Sequence, residues 1–94
     1  MEITITGADQ WTNEIKIGPS RLWDVRICAP SGWTGSVIVQ RRRSDQPDWF
    51  PVEDMTFDGT AQIDRTGESG SSHWFYRIGS PDGAGSIRAG IWSN

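Results

Sequence analysis

One cysteine, one histidine and one lysine are all that this 94-residue chain holds of three chemically versatile side chains. A lone Cys28 excludes a disulfide framework; at the end of an apolar strand it reads as a small buried hydrophobe. No apolar run approaches the roughly 20 residues of a membrane-spanning helix. Glu2 and Asp9 interrupt the start where a secretory leader would be apolar, so synthesis and folding in a reducing cytoplasm are expected. No Asn-x-Ser/Thr sequon occurs. No window keeps a helical period over three turns, which excludes a helical bundle.

The same scarcity argues against catalysis. His73 stands beside Ser71 and Ser72, but neighbours on a strand point to opposite faces, and no Gly-x-Ser-x-Gly elbow is present. A base without a positioned nucleophile is not a mechanism. One Cys and one His cannot make a zinc site. Asp54, Asp58 and Asp64 could offer oxygens to calcium, but no loop spacing supports that use. Gly83, Gly85 and Gly90 open no helix and so cradle no phosphate. The expectation is a protein that is not an enzyme and uses no cofactor or metal.

Acidic residues outnumber basic ones, 12 to 9, for a net charge of −3. An acidic chain gains nothing from phosphate counterion release, so no nucleic-acid partner is expected, and no membrane. The basic residues are eight arginines against Lys16 alone. Arg41, Arg42 and Arg43 run consecutively. On a strand Arg41 and Arg43 share one side and Arg42 takes the other, so the three cannot form one patch.

Aromatic residues are what the chain does supply. Six tryptophans offset a hydrophobic content of only 35%, because each can bury about 150–250 Å². They are expected mostly in the core or at a subunit interface. Strand signals dominate. Ile3–Thr6 alternates, Trp11–Ile17 reads as one strand, and Leu22–Cys28 puts Trp23, Val25 and Ile27 on one face. Pro30-Ser31-Gly32 is a turn ahead of the Val37–Arg43 strand. Trp49–Val52 follows, with Pro51 restricting it to an edge or a strand end. Thr60–Arg65 is a short strand and Thr66–Ser72 a Gly/Ser loop. His73–Gly79 and Ser86–Trp92 close the chain around Ser80-Pro81-Asp82-Gly83.

Two hairpins are predicted: one around the polar Ser44–Asp48 turn, the other joining the last two strands. About eight short strands at intervals near ten residues predict one antiparallel β-sandwich domain over residues 1–94, immunoglobulin-like or jelly-roll-like. Val37, Val39, Trp74, Tyr76, Ile78 and Ile87 are predicted as core or near-core.

Several strings resemble a group of small virion proteins of tailed bacteriophages. They are Trp33-Thr34-Gly35-Ser36-Val37-Ile38-Val39-Gln40-Arg41, then Asp48-Trp49-Phe50-Pro51-Val52, then Tyr76-Arg77-Ile78 and Gly85-Ser86-Ile87-Arg88. Gln10–Ile17 fits the opening strand of that pattern. Arg42-Arg43 stands where the pattern has one Ser, and Gln46-Pro47 where it has glycines. The resemblance implies a capsid decoration (cement) protein on the virion surface, made in the host cytoplasm. Its partner would be the major capsid protein, and it would act as a homo-oligomer, dimer or trimer. A tail or head-fibre accessory is the alternative within the virion. A carbohydrate-binding module is the alternative outside that class, with Trp33 and then Trp11 as the stacking residues. Trp11, Trp33, Arg41 and Arg43 are the predicted partner contacts.

Overall fold

The computed structural model describes residues 1–28, 34–58, 62–83 and 85–93. Among the described residues nine strands lie in two antiparallel sheets: β1 (Glu2–Ile5), β2 (Gln10–Trp11), β3 (Ile15–Ile17), β4 (Leu22–Cys28), β5 (Ser36–Arg43), β6 (Phe50–Asp58), β7 (Gln62–Glu68), β8 (Trp74–Ser80) and β9 (Ile87–Ser93). One sheet has the order β1-β9-β4-β7. The other has β2-β8-β5-β6, with β3 also pairing β8. Counting β2 and β3 as one interrupted strand, this is the order of an eight-stranded jelly roll, which decides between the two sandwich types expected.

The core follows from period-two alternation. Trp23, Val25 and Ile27 of β4 and Ile87, Ala89 and Ile91 of β9 face Val37 and Val39 of β5 and Tyr76 and Ile78 of β8. Trp23 and Tyr76 meet between the layers, ring centroids 4.9 Å apart. The residues predicted as core or near-core are all there: five lie in the core, and Trp74 is half-buried and packs against it.

Several expectations are corrected. The last two strands do not form a hairpin: β8 lies in the second sheet, between β2/β3 and β5, and β9 lies in the first, between β1 and β4. Each carries an inward apolar row, and placing them in separate layers sets those rows against each other. The hairpin around Ser44–Asp48 does form, as β5–β6.

The expected Trp11–Ile17 strand is interrupted. Trp11 pairs with Gly79 but Ile15 pairs with Tyr76, so one extra residue is accommodated between them. Thr12 makes the break tolerable, because its hydroxyl accepts the Ile78 N–H at 3.1 Å in place of a ladder carbonyl.

The expected loop Thr66–Ser72 is strand up to Glu68. Gly67 is needed there because the Trp23 ring covers it, and a Cβ would collide with that ring. Cys28 is not a core residue. It falls on the outer row of β4, out of phase with Trp23, Val25 and Ile27, and is half-buried. The Pro30-Ser31-Gly32 turn lies outside the described residues.

Edge strand β6 carries Pro51, as expected for an edge. Between Pro51 and Thr56 it bulges past Val39, with Asp54 in the left-handed region at φ 61°. Such a bulge spoils the edge as a template for pairing with another chain.

Candidate functional site

Arginine and aromatic side chains interleave on the second sheet, and its strands decide which can meet. On the outer face, Arg77 of β8 lies between two indoles, 4.3 Å from the Trp11 ring centroid and 4.4 Å from that of Trp49. Arg42 of β5 continues the stack, 5.4 Å from Trp49 and 4.5 Å from Phe75. The ladder therefore reads Trp11, Arg77, Trp49, Arg42, Phe75. A cation over a ring contributes from about 0.5 kcal/mol when exposed to about 2 kcal/mol when desolvated.

The two guanidiniums are held differently. Both terminal nitrogens of Arg42 are engaged: its Nη1 donates to the carbonyls of Arg43 and Gln46, and its Nη2 to both carboxylate oxygens of Glu14, at 3.0–3.3 Å. It pins the 44–49 loop to the β2–β3 break. Arg77 donates through Nε to Gln40 Oε1 at 2.9 Å. Desolvation between the indoles lowers its pKa from the ordinary arginine value, while Asp9 and Glu14 oppose that shift. Asp9 also accepts from the Trp11 indole N–H at 3.0 Å, fixing that ring.

Arg41 and Arg43 form a second group. They continue the inward row of β5 beyond Val37 and Val39, to the end of the sandwich where loops 18–21, 44–49 and 69–73 lie. Their guanidiniums are 4.1 and 5.2 Å from the same Trp74 ring. Among the described residues neither makes a side-chain hydrogen bond or an ion pair. Phe50, opposite Arg41 in the β5–β6 register, is 60% exposed.

The predicted contacts are thus divided. Arg41 and Arg43 share one side and Arg42 the other, as the alternation required. Trp11 sits with Arg42 on the outer face, away from Arg41 and Arg43. Trp33 lies outside the described residues. Arg77, Trp49, Phe75 and Phe50 were not predicted, since only cross-strand register brings them into these groups.

The outer face of the first sheet holds a shallow depression of about 170 Å³ lined by Asp24, Arg26, Asp64 and Trp92. His73 is exposed. Among the described residues no three His, Cys, Asp or Glu side chains converge. Among the described residues no helix is long and apolar enough to cross a membrane. Comparison with protein-family models, with curated proteins and with solved structures returns no match.

Proposed function

We propose that this chain is a non-enzymatic virion protein of a tailed phage, a capsid decoration protein that binds the outer surface of the head and ties capsomers together. The observation that carries the reading is the set of arginine and aromatic anchors held in fixed positions on one rigid sheet. Arginine and tryptophan dominate the energetics of protein interfaces. Anchors already immobilised by stacking give up less conformational entropy on binding. The jelly roll itself does not choose, since it is used by viral capsid and lectin domains alike. A bridge between subunits stabilises only the assembled shell, by linkage, and needs no chemistry of its own.

A glycan-binding reading requires open indole faces. Trp49 has the guanidiniums of both Arg42 and Arg77 stacked on it, which disfavours sugar stacking at that ring, whereas Trp11 has Arg77 alone.

The test is addition of purified protein to undecorated heads. Saturable co-sedimentation at a defined copy number, with a raised melting temperature of the head, is expected. If the protein never co-sediments at any concentration, the proposal fails. Labelling confined to the tail would favour the accessory role.

A further inference from the structure

The three consecutive arginines have different duties, and that difference assigns a partner chemistry. Arg42 has both terminal nitrogens occupied, by Glu14 and two backbone carbonyls. Arg41 and Arg43 have none occupied among the described residues, yet both are stacked on Trp74 and therefore preorganised. The Arg43 carbonyl accepts from Gln46 N–H at 3.1 Å, so a closed turn also holds the backbone at this point. The two arginines stand two residues apart on one strand, about 6.6 Å along its backbone, and both guanidiniums lie over the one Trp74 ring. The exposed Phe50 lies on the same side.

We infer that the Arg41–Arg43–Trp74–Phe50 end of the sandwich is a docking site for an extended acidic polypeptide segment with carboxylates at alternate positions. The match is one of charge and of repeat. Alternate side chains of an extended segment recur at the strand period, so Asp or Glu at i and i+2 would meet both guanidiniums in bidentate geometry. Phe50 gives such a segment an apolar foothold beside the charges. The chain's net charge of −3 opposes the approach of any polyanion, and a segment with a carboxylate at every second residue meets less of that opposition than a nucleic acid with a phosphate at every nucleotide. The inference deepens the adhesion reading and rests on it for the idea of a protein partner. It does not require that partner to be a shell.

The experiment uses the intact chain and a fluorescein-labelled synthetic peptide in which aspartate alternates with serine around one leucine. An otherwise identical peptide has asparagine for aspartate. Anisotropy should report saturable binding of the aspartate peptide only, weakened about tenfold or more by the double change Arg41→Gln with Arg43→Gln. Arg26→Gln, on the other sheet, should leave it unchanged. Since a double variant can misfold, the wild-type indole N–H resonances give an independent reading: that of Trp74 should shift on adding the peptide. Equal binding of both peptides, an unaffected double variant, a shift that spares Trp74, or preferential binding of a single-stranded oligonucleotide or heparin would overturn the inference. Head binding and peptide binding are measured separately, so either proposal can fail without the other.

Discussion

Trp11 and Ile15 lie four residues apart, yet their side chains leave the sheet on opposite faces. Trp11 pairs with Gly79 and lies over Arg77, whereas Ile15 pairs with Tyr76 and packs on the core. A one-residue change of register exchanges the faces of everything beyond it. The interruption at Thr12 thus moves a tryptophan from the core side to the outer ladder.

The Thr12 hydroxyl is what makes that interruption affordable to the backbone. Thr12 is 5% exposed, and its Oγ1 is the acceptor for the Ile78 N–H. Thr12→Val keeps the shape and removes the acceptor. It should cost about 1–3 kcal/mol by leaving a buried N–H unsatisfied. Thr12→Ser keeps the oxygen and should cost distinctly less. Urea denaturation of the three proteins checks the order, and an equal loss in both variants would refute the role assigned to the hydroxyl.

Two glycines covered by tryptophans should respond differently to the same substitution. A Cβ at Gly67 would strike the Trp23 ring, and one at Gly90 the Trp92 ring. Trp23 is 1% exposed and has no room to move, so Gly67→Ala should destabilise by about 2–3 kcal/mol. Trp92 is half-buried on an outer face and can swing into solvent, so Gly90→Ala should cost less than about 1 kcal/mol. Thermal unfolding of the two variants separates the cases.

Tyr76 points to the reverse outcome. It is fully buried, and among the described residues its hydroxyl has no hydrogen-bond partner. Removing an unsatisfied buried polar group recovers part of its desolvation cost of about 1–3 kcal/mol. Tyr76→Phe should therefore leave stability unchanged or raise it, contrary to the usual effect of trimming a core residue. A clear drop in the denaturation midpoint would show that the hydroxyl is satisfied after all.

Local alternation made the layers legible in the sequence. Leu22–Cys28 reads correctly as a strand because Trp23, Val25 and Ile27 alternate with polar residues, and the β5–β6 hairpin announces itself through a polar turn between apolar runs. The β8–β9 crossing was not legible, because a turn-rich connector such as Pro81–Gly83 serves a hairpin and a change of sheet equally well. Arg41 and Arg43 could be placed on one side by parity alone. Arg77 and Trp49 could not, since 28 residues separate them and only the cross-strand stacking of the folded sheet brings them together. Gly67 looked like a loop residue until the ring of Trp23, two strands' worth of chain away, was seen to occupy its missing side chain's place.

Arg42 provides a test of whether the ladder is held by charge or by stacking and backbone ties. Its ion pair with Glu14 spans 3.0 Å, but the two side chains are 19% and 43% exposed. An ion pair so open to water is expected to contribute less than about 1 kcal/mol. Glu14→Gln should therefore cost little, with the remainder further reduced in high salt. Arg42→Ala removes more: the contacts with Trp49 and Phe75 and the two donors that fasten the carbonyls of Arg43 and Gln46. Its cost should reach about 2 kcal/mol, from the cation–π and hydrogen-bond contributions together, and should persist in high salt. Amide exchange in the 44–49 loop should quicken in Arg42→Ala and stay slow in Glu14→Gln, because the arginine, and not its carboxylate partner, ties the loop down. Equal losses in the two variants, both abolished by salt, would assign the ladder to the ion pair instead.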